Sequence, residues 1–438
     1  MTSNRRPSPR SPGLVVMAAA GISGVAGYVV LVLAARALTP AENADFLVFW
    51  GAVFAVFGVL TGLTAEITRA VFAARHSQSP GPAAGARVVP AALVLGGAVV
   101  GVVGLSGPLW APALFGSEWL PLLAAMVCGI GLFVVHSALG GAAAGGGQWS
   151  GYAVLVGLEA TTRLALCALV ALLGGEVLGL AWGVCAACGT WLLLSLWPRY
   201  RRLWAARGDV DRGGLLRRMV SACTAAGASS LLLVGFPVLL RVTTSDEVFA
   251  GTAPLLLAVS LTRAPLLVPL GAYQNVVVTK VLTQGLRALV GPTRLVLALT
   301  VLGAALAGLV GPVAMRVINP DYRVEGVIFA ALTVAAGLVA LLTLTGAASL
   351  ALDRHTVYLA GWTGATLSAL AVLAGPWAIE PRVIAALVTG PLVGMTIHLT
   401  WSVYGGRSGP GSVRVGRSPS RPRTLRAGGA PAGLEENR

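Results

Sequence analysis

The heptapeptide RALTPAE, residues 36–42, closes the first apolar segment and indicates how the chain is organised. The stretch RVTTSDE, residues 241–247, repeats its Arg-x-x-Thr-x-x-Glu pattern 205 positions later, again where an apolar segment meets a short acidic loop. A second pair has nearly the same spacing: GQWSGY at 147–152 and LDRHTVY at 352–358. A spacing that holds at two separate places favours an internal duplication. Chance is the alternative, because Thr and Glu are common in loops.

The composition places the chain in a lipid bilayer. Of its 438 residues, 56% are hydrophobic and only 11% are charged, and the mean hydropathy is +0.83. Soluble domains carry about 25% charged residues, so the composition excludes a water-soluble protein of this length. A membrane-spanning helix needs about 20 mostly apolar residues. Twelve such spans are predicted, at 14–37, 45–67, 88–114, 119–145, 150–174, 177–197, 218–241, 249–272, 293–315, 325–350, 355–375 and 383–404.

The distribution of charge indicates the orientation of these spans. The side that holds the N-terminus and the loop at 198–217 carries 24 basic residues, whereas the opposite side carries 5 basic and 9 acidic residues. Loops rich in Arg and Lys stay in the cytoplasm. We therefore predict a multi-pass protein of the cell membrane with both termini in the cytoplasm. This asymmetry also explains the net charge of +15 without nucleic acid as a partner.

The predicted spans divide into two sets of six around the basic loop. Because six is even, the second set enters the membrane in the same orientation as the first, as in parallel repeats related by an axis along the membrane normal. We predict an all-α fold of two six-helix bundles. The predicted units are a basic cytoplasmic N-terminus at 1–13, an N-terminal bundle at 14–197, a basic linker at 198–217, a C-terminal bundle at 218–404 and a disordered basic tail at 405–438.

Three local stretches resemble polysaccharide exporters of the multidrug/oligosaccharidyl-lipid/polysaccharide (MOP) flippase superfamily. They are VLAARALTPAENADF at 32–46, GLTAEITRAVFAAR at 62–75 and GGGQWSGYAVL at 145–155. The resemblance implies a MATE/MOP-like arrangement of twelve transmembrane helices. It also implies a flippase that moves a lipid-linked oligosaccharide to the outer leaflet by alternating access, for polysaccharide biosynthesis. The implied carrier is of the undecaprenyl-pyrophosphate type.

Two other functions stay open. A small-molecule or drug antiporter of the same fold would use a carboxylate-lined cavity for cations. A non-transporting scaffold would recruit cell-envelope enzymes through the basic linker or the tail, whose arginines also suit membrane lipids. An enzyme is not predicted, because the chain has no P-loop, H-E-x-x-H or G-x-S-x-G motif in a suitable context and every outer loop is short.

Neither a cofactor nor a metal site is predicted. All five cysteines lie in apolar runs, and Cys185 and Cys188 share one face of a predicted helix, where we interpret them as packing residues. His136 and His398 are single histidines within spans. We interpret each as a hydrogen-bonded helix contact, with a proton relay as the alternative.

Charged residues inside the spans are the candidates for a cargo site, because such groups are costly in lipid and usually face a cavity. Arg263 suits a phosphate; pairing with Glu66 or Glu159, or reaching the cytoplasmic face, is the alternative. Glu159 and Arg163 stand at i and i+4, which predicts either a neutralised pair or a protonation site beside a head-group ligand. Glu66 and Arg69 predict either a boundary salt bridge or a cytoplasmic mouth that attracts phosphate.

Two arginines are predicted at the outer rim, at the ends of the first and seventh spans. Arg36 and Arg241 can pair there with the nearby acids Glu42, Asp45 or Asp246. Alternatively, they close an outer gate.

Overall fold

Segments that meet lipid must satisfy every backbone N–H and C=O group internally, and α-helices do so. The computed structural model describes residues 12–76 and 85–404, which are almost entirely helical. The helices are α1 (Pro12–Ala37), α2 (Pro40–His76), α3 (Val88–Phe115), α4 (Trp119–Gly145), α5 (Trp149–Leu172), α6 (Val177–Ala186), α7 (Trp191–Leu194), α8 (Pro198–Arg201), α9 (Arg212–Leu233), α10 (Phe236–Val242), α11 (Asp246–Phe249), α12 (Ala253–Gln284), α13 (Val290–Ile318), α14 (Gly326–Ala351), α15 (His355–Leu373) and α16 (Ile379–Tyr404).

The described residues provide the twelve membrane crossings that the sequence predicts. Ten helical stretches in these ranges are long and apolar enough to cross a bilayer. One of them, Val88–Gly145, contains two crossings, because α3 and α4 fold back on each other at Gly116 and bring Gly107 against Leu123. The remaining crossing is α9 with α10, which are bent by 64° at a short break. The predicted seventh span is therefore a broken helix rather than a continuous one.

The same helix pairs are in contact in both halves of the chain. In the first half, α2 and α3 each pack on α4, and α5 packs on α6; in the second half, α12 and α13 each pack on α14, and α15 packs on α16. A pseudo-twofold axis between two bundles produces this repetition. The predicted fold of two six-helix bundles is confirmed.

Small residues bring the two bundles into close contact along one side. A Cβ atom at Gly62 of α2 would lie 2.5 Å from the backbone of Ala222 and Cys223 in α9, and one at Gly58 would lie 2.3 Å from Oγ of Ser230. Glycines at such positions allow the backbones of membrane helices to approach closely. On the opposite side, α1 and α12 meet much less extensively. The space between the bundles therefore lies nearer to α1 and α12 than to the α2–α9 contact.

Residues 198–211, between the bundles, are held against the first bundle; we call this segment the strap. The Ala86 and Val88 amides donate to carbonyls at 210 and 206, both at 2.9–3.0 Å. In return, the Gly208 amide donates to the Ala86 carbonyl at 2.9 Å. The strap marks one end of the molecule, the basic face. The other end, where Glu42 and Asp246 lie, is the acidic face.

The acidic face carries its own contacts between the halves. Nη2 of Arg36 donates to the Val317 carbonyl at 3.0 Å, and the Asn319 amide group donates to the Ala35 carbonyl at 2.8 Å. These bonds join the end of α1 to the end of α13. These bonds would have to break if the two bundles moved apart at the acidic face.

Candidate functional site: a cavity between the bundles

A cavity of about 440 Å³ lies between the two bundles. Helices α1, α2 and α5 of the first half and α10, α12 and α14 of the second half form its walls. Because both halves contribute, any movement between the bundles changes its shape. The lining side chains that matter most for binding are Tyr28, Trp50, Phe54, Arg163, Phe236 and Arg263.

The broken seventh span creates acceptors for Arg263. In a continuous helix, the Leu233 carbonyl would accept from the amide of residue 237, but that residue is Pro237, which has no N–H. The chain therefore leaves α9 with free carbonyl groups. Nη1 of Arg263 donates to the carbonyls of Leu232 at 3.2 Å and Leu233 at 2.9 Å. Its guanidinium also lies 5.4 Å from the ring centroid of Phe236, within range of a cation–π contact.

Arg263 carries a positive charge without an anionic partner. Arg263 is almost completely buried, with only 6% of its surface exposed. Among the described residues, no carboxylate lies within ion-pair distance of it, and Nη2 has no hydrogen-bond partner. Glu66 and Glu159, the acids that the sequence offered as partners, bind Arg69 and Arg163 instead. Carbonyl dipoles and an aromatic ring compensate the charge only in part, and Nη2 is a buried donor without an acceptor among the described residues.

Arg163 contributes a second guanidinium to the same wall, but its charge is balanced. It forms an ion pair with Glu159 one turn away on α5, and both residues are buried. The guanidinium lies 5.2 Å from the ring centroid of Phe54 and 5.9 Å from that of Trp50. The i, i+4 spacing in the sequence predicts this pair correctly. Whether either arginine binds cargo stays a prediction.

Comparison with known proteins gives a family and a fold. No protein-family model matches the chain. It is 39% identical over 394 residues to "Uncharacterized protein Rv1510" of Mycobacterium tuberculosis (strain ATCC 25618 / H37Rv), an alignment that covers 88% of this chain and 90% of the relative. The chain belongs to the Rv1510 family.

The fold of this Rv1510 family member is that of MOP superfamily transporters. One solved structure is an inward-facing MATE family multidrug resistance transporter, with a TM-score of 0.68 and 14% identity, covering 91% of this chain and 100% of the transporter. Another is a MOP superfamily transporter from Pyrococcus furiosus whose binding pocket is described as having reverse polarity. Its TM-score is 0.63 at 14% identity, and the alignment covers 89% of this chain and 94% of that transporter. The predicted MATE/MOP-like fold is thereby confirmed, and the chain is a multi-pass membrane protein.

The predicted pair Glu66 and Arg69 lies at the basic face, outside the cavity. Arg69 binds Glu66 at 2.6 Å and also reaches Asp209 of the strap at 3.0 Å. Asp209 in turn binds Arg218 of α9 at 3.1 Å. Hydrogen bonding from Arg69 holds the pKa of the Asp209 carboxyl below its usual value. In this member of the Rv1510 family, an ionic network thus joins α2, the strap and the second bundle.

The two predicted rim arginines lie at the acidic face but have different partners. Arg36 binds carbonyl groups at the end of α13 rather than a carboxylate. Arg241 binds Asp246 at 2.6 Å and lies 5.0 Å from the ring centroid of Phe249. Arg241 also lines a second cavity, of about 400 Å³, together with acids from both halves: Glu42, Asp45, Glu118, Glu176 and Asp246. A gating role for either arginine stays a prediction.

The two histidines and the five cysteines of the spans are not among the described residues that line the central cavity. His136 stacks on Phe133 with ring centroids 5.6 Å apart, and His398 lies 3.0 Å from the Thr345 hydroxyl. The five cysteines are free thiols. Within residues 12–76 and 85–404, no group of three or more His, Cys, Asp or Glu side chains is arranged to hold a metal ion.

The aromatic wall of the cavity does not follow from the sequence patterns above. Trp50 and Phe54 stack with ring centroids 4.2 Å apart, and their i, i+4 spacing on α2 is the only local signal for it. The break in the seventh span has a stronger signal, the run Gly235-Phe236-Pro237 inside an apolar segment. Proline removes a helix hydrogen bond, so this run marks a break where a composition-based span assignment shows none.

Proposed function

We propose that the chain is a transporter that moves an anionic lipid-linked saccharide across the cell membrane by alternating access, for cell-surface polysaccharide biosynthesis. One observation supports this most directly: the described lining of the central cavity contains Arg163 and Arg263 and no carboxylate. An arginine without an acidic partner favours a phosphorylated cargo, because a guanidinium matches the geometry of phosphate oxygens.

The rest of the cavity wall suits a cargo with both apolar and sugar parts. Ligand sites are usually apolar and aromatic with a few polar groups that fix orientation. Here the rings of Tyr28, Trp50, Phe54 and Phe236 surround the two guanidinium groups. Such rings offer flat faces for the C–H surface of a sugar. The apolar lining between them suits the hydrocarbon chain of a lipid carrier.

The proposed orientation places the basic face in the cytoplasm, by the positive-inside rule. Cargo would enter on that side and leave at the acidic face. The carrier implied by the sequence resemblance is of the undecaprenyl-pyrophosphate type. The proposed partners are enzymes of envelope polysaccharide synthesis, which would bind the strap or the predicted tail at 405–438; that tail lies outside the described residues.

Transport by the purified full-length protein tests the proposal. A fluorescent lipid-linked saccharide would be incorporated into proteoliposomes, and its movement between leaflets measured by quenching from outside. We expect Arg263→Ala to lower the rate of movement about tenfold or more, the value of a charge-assisted hydrogen bond of about 1.5–3 kcal/mol. Arg263→Lys should retain part of the rate, and Arg294→Ala, which removes an exposed arginine outside the cavity, should change little.

Two controls test the stability of the variants and the alternative cargo. Thermal unfolding of each variant in detergent shows whether the loss of the bonds from Arg263 to α9 has destabilised the fold. A cationic dye tested in the same vesicles examines the drug-antiporter alternative. Movement of the dye, with none of the lipid-linked saccharide, would overturn the proposal in favour of that alternative; movement of neither would favour a scaffold.

A further inference from the structure

The charge balance of the central cavity narrows the class of cargo, given the proposed function on which this inference rests. Every Asp and Glu of the chain except Glu435 and Glu436 lies in the described ranges. None of them lines the cavity, and the acid paired with a lining residue is Glu159, bound to Arg163. Among the described lining residues, the other polar side-chain groups are the hydroxyls of Ser23, Tyr28, Ser260 and Thr343 and the indole N–H of Trp50, all of them neutral. The described site therefore carries one net positive charge, on Arg263.

Both arginines of the cavity use one nitrogen for bonds within the protein. Nη1 of Arg263 donates to the carbonyls of Leu232 and Leu233, and its Nη2 has no hydrogen-bond partner among the described residues. Nη1 of Arg163 is occupied by Glu159. Nη1 is therefore the nitrogen of each guanidinium that these bonds occupy, and Nε of Arg163, like Nη2 of Arg263, has no hydrogen-bond partner among the described residues. One phosphate group can be satisfied without disrupting either set of bonds.

We propose that the cargo is a saccharide joined to its lipid through a single phosphodiester, with one negative charge, rather than through a pyrophosphate diester with two. A buried charge is costly unless it is compensated. A monoanion beside Arg263 makes the loaded cavity neutral. A dianion leaves one negative charge in the interior of the membrane, or has to take Arg163 from Glu159 and leave that carboxylate unpaired. The undecaprenyl-pyrophosphate carrier implied by the sequence resemblance is thus replaced by a monophosphate-linked one.

Two synthetic lipids that differ only in the linkage test this proposal: farnesyl-phosphoryl-glucose and farnesyl-pyrophosphoryl-glucose. Their binding to the full-length protein in detergent would be measured by calorimetry, and their movement in proteoliposomes as above. We expect the phosphodiester to bind at least tenfold more tightly and to move faster.

Charge variants make the test specific. Ser260→Arg adds a second cation to the cavity wall without touching the buried Arg163–Glu159 pair, and we expect it to reduce or reverse the preference. Glu159→Gln, which frees Arg163, should act in the same direction. Thr283→Arg adds the same charge at an exposed position outside the cavity and should leave the preference unchanged.

The outcomes separate this inference from the proposed function. Equal binding of the two lipids, tighter binding of the pyrophosphate, or a preference that Ser260→Arg leaves unaltered would overturn the inference while the proposed function stands. If neither lipid bound or moved, the proposed function would fail and the inference with it. A preference for the phosphodiester that follows the charge of the cavity supports both.

Discussion

The ionic network at the basic face predicts what happens when its central acid is removed. Asp209 lies between Arg69 and Arg218, and both oxygens of its carboxylate face the guanidinium fork of Arg69, at 3.0 and 3.1 Å. Asp209→Ala removes both ion pairs at once. The strap then remains attached by its backbone bonds to residues 85–88 and by side-chain bonds from Arg207 and Tyr200 to carbonyls of the first bundle, and we expect the part around Asp209 to detach more often.

The solvent exposure of the three charged side chains sets how much the network stabilises the attached strap. The side chains of Arg69 and Arg218 are 43% and 47% exposed, and that of Asp209 is 20% exposed. Exposed ion pairs contribute about 0.2–1 kcal/mol each, and the two-point contact with Arg69 places this network near the upper end. A total of about 1–2 kcal/mol shifts the ratio of attached to detached strap by about 5–30-fold.

Hydrogen–deuterium exchange measures this ratio directly. The amides of Gly208 and Val88, which bond across the strap contact, should exchange about 5–30-fold faster in Asp209→Ala than in the unchanged protein. Glu247→Ala, which removes an exposed acid at the acidic face, is the matched control and should have no effect there. Unchanged exchange in Asp209→Ala, or the same acceleration in the control, would refute the reasoning.

Three further predictions follow from the same structure. Arg69 lowers the pKa of the Asp209 carboxyl. The ionised carboxylate therefore stabilises the attached strap fully above the unfolded-state pKa of about 3.9, and this stabilisation is lost as the pH falls through the lower pKa of the folded state. The difference in exchange between Asp209→Ala and the unchanged protein should disappear on acidification. Gly62→Val should destabilise the protein by about 1–3 kcal/mol in thermal unfolding, because its Cβ would meet the α9 backbone, whereas Gly97→Val, which meets nothing within 4 Å, should not. Pro237→Ala restores an N–H for the Leu233 carbonyl, so a double-mutant cycle with Arg263→Ala should show a coupling of about 1 kcal/mol.

Sequence patterns predict the architecture because each predicted feature is local. The length of the apolar runs gives the spans, and the spacing of Glu159 and Arg163 gives their ion pair. The contact between Arg69 and Asp209 is not local. The two residues are 140 positions apart in the sequence and meet only after the strap has folded onto the first bundle. No local pattern contains that information.

The environment of Arg263 illustrates the same limit. Its depth in the membrane can be counted from the sequence, but its partners depend on a break in another helix, where Pro237 leaves carbonyls without donors. The sequence leaves a phosphate, one of the acids Glu66 and Glu159, or the cytoplasmic face as the alternatives for this arginine. The structure provides peptide dipoles instead, and this substitution is what leaves the positive charge of the cavity uncompensated.

The glycine contact between α2 and α9 has a mechanical consequence. Where backbones touch without intervening side chains, a separation of about 0.5–1 Å already loses about a quarter to a half of the dispersion attraction. Across the molecule, the looser meeting of α1 with α12 gives way at lower cost. We therefore expect any movement between the bundles to use the α2–α9 contact as its hinge and to open on the side of α1 and α12.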